Sequence, residues 1–140
     1  MKAVSNMSFC DCRFVKLNMA GNISGSSMHA FERDSHSWDE QINIKIAHPT
    51  LGFNIDTFIQ LYDPPLPTHI KLDVDSTEKE ILEGAAGLLA KGQVKSIWVE
   101  VDGALERERN QGIIAALEVM GYAANHTKGR TRNLEFLPKG

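Results

Sequence analysis

Two short apolar runs each end in acids. Asp73 and Asp75 follow Ile70, Lys71 and Leu72, with Val74 between them; Glu100 and Asp102 follow Ile97, Trp98 and Val99, with Val101 between them. Apolar and polar residues alternate in both runs, the period of a strand. On that period Lys71 and Asp73 point to one side, and Glu100 and Asp102 share a side on the neighbouring strand. Ligands of an open parallel sheet bind beyond the carboxyl ends of its strands, which is where these acids fall. The strands of such a sheet are expected to be covered on both faces. Unpaired charges are costly to bury, so each acid is expected to be paired, hydrated at the sheet edge or in contact with a ligand.

Four uses follow from that placement. Lys71 with Glu100 or Asp73 makes a buried ion pair across adjacent strands, and Asp75 caps the following helix; both uses are structural. Charged groups with perturbed protonation at strand ends tend to mark sites, which singles out Asp73 and Glu100. Magnesium or calcium takes oxygen ligands of this kind, but strands this short show no loop to wrap an ion, and no metal is expected. The histidines (His29, His36, His48, His69 and His126) are scattered without ligand spacing, and Cys10 and Cys12 stand too close for an unstrained disulfide. No Ser-His-Asp arrangement is legible.

The elements that must hold these acids are clearest after Pro64, Pro65 and Pro67. Thr77 and Glu80 have capping-box spacing. Ile81, Leu82, Ala85, Leu88 and Leu89 then form one apolar helical face, and Gly92 is the stop. A second helix, over about residues 106–120, carries Ile113, Ile114, Leu117 and Met120 on one side and closes at Gly121. Residues 122–126 and 133–137 flank a Lys128-Gly129-Arg130 turn and predict a terminal hairpin. Strand, helix, strand, helix implies parallel strands joined by crossovers. Upstream, residues 13–20 and 41–48 predict strands, the second from Ile42, Ile44 and Ile46 alternating with Asn43 and Lys45. A long connection or irregular hairpin joins them, and Asn54 or Asp56 caps a short helix through Tyr62. The expectation is a single α/β domain over 1–140, with N-terminal strands in 1–63 and a strand-helix-strand-helix-hairpin core in 68–140.

The chain has 140 residues, 42% hydrophobic and 24% charged, which suits one globular domain. A net charge of −3 makes no electrostatic case for nucleic acid or an anionic membrane. No apolar run approaches the ~20 residues that span a bilayer, the N-terminus lacks a signal-peptide core, and a cytoplasmic protein is expected.

Residues 69–85 read HIKLDVDSTEKEILEGA, which resembles the hallmark of FkbM-type methyltransferases. That family shows an Ile-Lys-Ile-Asp-Val-Glu-Gly-x-Glu stretch followed by Val-Leu-x-Gly-Ala. Ile97-Trp98-Val99-Glu100-Val101 is similar to the apolar-Glu-apolar strand that follows. More weakly, Gly25-Ser26-Ser27-Met28 resembles a Ser-Ser-rich segment, and Asn54 through Ile59 a Leu-Asp-x-Leu helix start. The resemblance runs from about Arg13 onward, with its specific part in residues 71–85. It implies a partial Rossmann-like methyltransferase sheet ending, as methyltransferase sheets do, in a reversed hairpin. It also implies methyl transfer from S-adenosylmethionine to a hydroxyl of a small molecule or saccharide. Asp73, Asp75, Lys71 and Glu100 take the catalytic positions, Asp73, Val74 and Ser76 lie against the cofactor, and Glu78 and Asp102 against the acceptor. A carboxylate there orients or deprotonates the hydroxyl and favours the sulfonium charge.

Two departures qualify what is implied. Ser76 stands where the family has Gly, adding a Cβ near the site. The family's first strand and Gly-rich turn should lie well upstream of Lys71. The nearest candidate, Ala20 through Gly25, is only about fifty residues before it, too close for two more crossover units of ~30 residues. The resemblance is therefore to the C-terminal half of the fold, as in a truncated frame. The other class that fits is a non-catalytic binding or assembly domain derived from it. In either, the strand holding Lys71 lacks its cofactor-side neighbour. Residues 13–20 or a second chain in a homodimer are expected to fill that edge.

Overall fold

The computed structural model describes residues 12–19, 29–31, 44–74, 77–101, 107–125 and 133–140. In chain order the elements are β1 (Cys12–Met19), β2 (His29–Phe31), β3 (Ile46–Phe53), α1 (Ile55–Tyr62), β4 (His69–Leu72), α2 (Glu78–Glu83), α3 (Ala86–Ala90), β5 (Ser96–Glu100), α4 (Arg107–Val119), β6 (Tyr122–Asn125) and β7 (Asn133–Pro138). They form a mixed α/β structure with two sheets. One is three-stranded, in the order β2-β1-β3, and the other four-stranded, in the order β4-β5-β7-β6.

In the four-stranded sheet β4 and β5 are parallel, as expected of strands separated by helix. β7 lies antiparallel between β5 and β6, so β6 runs parallel to β5 and the sheet ends in a reversed hairpin. Alternation decides which way it faces. Leu72, Ile97, Val99, Tyr122 and Phe136 are buried with Leu82 of α2, Leu88 and Leu89 of α3, and Ile113 and Leu117 of α4, while Ile55 and Ile59 of α1 pack against the same cluster. All four helices thus serve one core on one face of the sheet. Among the described residues no helix covers the other face, where cover on both was expected. Lys71 and Trp98 are register partners, as are Trp98 and Glu135, and Glu100 and Asn133. Paired residues share a face, so the opposite side is largely polar and offers little to a second apolar layer.

The helix expected after β4 is divided, α2 from α3, at Gly84 and Ala85. The Thr77 side chain makes no cap hydrogen bond, so the capping box read from its spacing is not formed. Side-chain caps are formed on α1 and α3 instead. Asn54 accepts from the Thr57 amide at 2.7 Å and starts α1, as its residue type predicts. Asp56, the alternative cap, turns instead to α3 and accepts from the Gly87 and Leu88 amides at 2.6 and 2.8 Å. The Asp56 amide donates to the Gly84 carbonyl at 3.0 Å. A Cβ on Gly84 would lie 2.8 Å from the Asn54 Cβ, so this close approach needs glycine. Asp63 in the left-handed region (φ 44°) ends α1 before the prolines. The stops at Gly92 (φ 68°) and Gly121 (φ 88°) are as expected.

The three-stranded sheet differs more from its expectation. β1 matches, but β3 begins at Ile46 and runs through Pro49 to Phe53 rather than over 41–48. Pro49 is tolerated because β3 is an edge of its sheet. Ile44 and Ile46 remain exposed, so their alternation marks no core face. β1 pairs with β2 and β3 in this sheet. The placement of residues 13–20 beside β4 is therefore incorrect for the described residues 13–19: β1 pairs with β3 along its length and with β2 over Leu17–Met19, in a sheet that does not contain β4. Residues 41–43 and the Lys128-Gly129-Arg130 turn lie outside the described residues.

Candidate functional site at the ends of β4 and β5

The register of β4 on β5 sets Leu72 beside Val99. The next residues, Asp73 and Glu100, therefore come side by side at the carboxyl ends of the two strands, on the polar face. Lys71 sits one pleat below. Its Nζ donates to Asp73 Oδ2 at 2.5 Å, and both side chains are about half exposed, 59% and 49%. The structure thus brings together Lys71, Asp73 and Glu100, but the ion pair it forms, Lys71 with Asp73, lies along one strand and is not the buried pair expected across adjacent strands. The pair is solvated, so it adds little stability.

Protonation gives the cluster its chemistry. The Lys71 hydrogen bond, then a hydrogen bond with Glu100, hold the Asp73 carboxyl below its ordinary range. Asp73 in turn, by hydrogen bond and charge, raises Lys71, and the charge of Glu100 adds to this. A depressed carboxylate is a weaker base than a free one. Asp73 is therefore suited to accept a hydrogen bond from a ligand hydroxyl or to face a cation, rather than to abstract a proton outright.

The remaining predicted residues are distributed differently. Val74 is half-buried just past β4, with its carbonyl accepting from the Thr77 amide at 3.3 Å. Glu78 opens α2 and is 1% exposed, so the structure does not bring it onto the open face with Lys71 and Asp73. Asp75, Ser76 and Asp102 lie outside the described residues. Among the described residues no group of three or more His, Cys, Asp or Glu is placed to hold a metal ion, and no helix is long and apolar enough to cross a membrane.

Sequence reasoning missed three neighbours on the same face. Trp98 lies beside Lys71 in register, and Glu135 beside Trp98. Asn125 donates to Glu135 Oε2 at 2.7 Å. Trp98 was within reach, being two residues before Glu100 and so on its face. Asn125 and Glu135 were not, because nothing local tells that β7 inserts beside β5.

Among the described residues no cradle for S-adenosylmethionine is formed, and the Ala20 to Gly25 candidate lies outside them. β4 is an edge strand paired only with β5 among the described residues, which include no Gly-rich strand-turn-helix before it. No protein-family model, no curated protein and no solved structure matches this chain.

Proposed function

We propose that the chain is a module derived from the FkbM-type, Rossmann-like methyltransferase fold, with its Lys71, Asp73 and Glu100 cluster facing the hydroxyl of a small-molecule or saccharide acceptor. The observation that carries this reading is the joining of those three side chains at the carboxyl ends of adjacent parallel strands. The reversed hairpin after β5 supports it, as does the HIKLDVD motif that forms β4 and its exit. Asp73 accepts the hydrogen bond of the acceptor hydroxyl and orients its oxygen. Lys71 keeps Asp73 ionised, and Glu100 stands beside it at the end of the neighbouring strand. S-adenosylmethionine is the methyl donor this reading implies; its cradle is not among the described residues, and no step is assigned to it.

Titration calorimetry of the chain with S-adenosylmethionine and S-adenosylhomocysteine tests the proposal. Saturable binding that Asp73→Asn weakens more for the sulfonium than for the neutral sulfide supports it. Heats indistinguishable from dilution for both, up to about 1 mM ligand, would remove methyl transfer by this chain. They would leave the alternative, a non-catalytic binding or assembly domain, which the edge of β4, unpaired among the described residues, favours.

A further inference from the structure

We infer that the free edge of β4 pairs antiparallel with β4 of a second copy of this chain, centred on Leu72, so that Lys71 of each copy meets Asp73 of the other. Among the described residues β4 has one neighbour, β5, and its outer edge has no proline and no bulge to blunt it. The inference does not rest on the methyltransferase reading; it uses only the edge and the order of residues along it.

The register follows from the two faces. Leu72 points into the core, with Ile70 packed against the same cluster, whereas Lys71 and Asp73 lie on the polar face. Residues directly opposite in an antiparallel pair share a face, and a slip of one residue exchanges the faces. The core faces of two copies join only when core residues of β4 meet core residues. Any centre on a residue meets this condition, and three of them, Ile70, Lys71 and Leu72, lie within β4 past its first residue. Centring on Ile70 sets His69 against Lys71, and centring on Lys71 sets lysine against lysine. Centring on Leu72 sets Leu72 against Leu72, Ile70 against Val74, and Lys71 against Asp73 twice over. Only this third register is complementary in both charge and apolar character. It extends each β4 by Asp73 and Val74 and joins two four-stranded sheets into one with a single helical layer. It also brings a lysine of the second copy to each Asp73.

Sedimentation velocity and cysteine crosslinking test this in the full chain. The protein is expected to be dimeric in the micromolar range; a monomer up to about 100 μM overturns the inference. Lys71→Glu alone, or Asp73→Lys alone, sets like charges against each other and is expected to weaken association by about tenfold. The double variant Lys71→Glu/Asp73→Lys restores it. Failure of that restoration, in a double variant with unchanged circular dichroism, counts against the register. In a Cys10→Ser/Cys12→Ser background, mixing Lys71→Cys chains with Asp73→Cys chains is expected to give the mixed disulfide. Faster crosslinking of Lys71→Cys with itself overturns the centre at Leu72. All of these readouts are taken without S-adenosylmethionine, so failure here and failure to bind the cofactor are separate results.

Discussion

At the residue scale the decisive feature is a carboxyl, Asp73, held below its ordinary range by Lys71 and, after it, by Glu100. Lys71 is the first cause of the depressed Asp73 carboxyl, so Lys71→Met is expected to move the Asp73 titration upward, towards the ordinary value near 3.9. Carboxyl carbon NMR over acid pH reads this directly, and an unmoved Asp73 would show that Lys71 does not set its charge. The contribution of a depressed carboxylate is present above its ordinary value and is lost as pH falls through the folded one. It is small here because both side chains are half exposed. Tyr122 has the opposite sign. Burial raises its hydroxyl above the ordinary value, and that hydroxyl donates to the Val94 carbonyl at 3.0 Å. Its contribution is full below pH ~10 and is lost as pH rises through the folded value. Tyr122→Phe is expected to cost about 1 kcal/mol at neutral pH. It should also flatten the alkaline limb of stability; an unchanged slope in urea melts between neutral and alkaline pH would refute that.

At the element scale α1 and α3 are joined by one carboxylate. Asp56 takes two amides of α3 from a position 31 residues earlier, while the α3 N-cap position is Ala85, which has no capping side chain. Asp56→Ala is expected to destabilise the chain by about 1–2 kcal/mol. Gly84→Ala is expected to cost about 1–3 kcal/mol by overpacking, because the new methyl meets Asn54 rather than space. Denaturant melts of both variants check this, and a Gly84→Ala chain as stable as the parent would mean that α1 yields without cost. Half of this joint was legible. Asn54 and Asp56 both announced a helix start by residue type, and Asn54 took that role. Which of the two would reach away depended on the docking of α1 on a glycine two turns into the next helical segment. The divided helix has the same origin. An apolar face of period 3.6 ran through Gly84 without interruption, and only the backbone contact with Asp56 shows why the helix breaks there.

At the scale of the molecule the two sheets are unequal. The four-stranded sheet buries Ile97, Val99 and Phe136 completely, whereas in the three-stranded sheet Val15 and Asn18 are the buried residues among those described. Phe14 and Leu51, partners across β1 and β3, stay exposed. Local opening follows buried apolar contact. Amides of β1 and β3 are therefore expected to exchange with solvent about a hundredfold faster than those of β5 and β7. Equal protection in both sheets would show that the smaller one is held by more than these contacts.

The sequence by itself determined what neighbouring residues decide. The alternation in β4 and β5, the glycine stops at Gly92 and Gly121, the Asn54 cap and the reversed final hairpin all depend on side-chain period or backbone allowance within a few residues. The juxtaposition of Asp73 with Glu100 could be anticipated as far as the strands were recognised as neighbours. Tertiary structure alone decided the rest: which face of the sheet the helices cover, that β1 joins β2 and β3 and leaves β4 an edge, and that Trp98, Asn125 and Glu135 share the face of the cluster. Those outcomes turn on pairings between distant segments, selected because they bury the most apolar surface together, and no local pattern carries that sum.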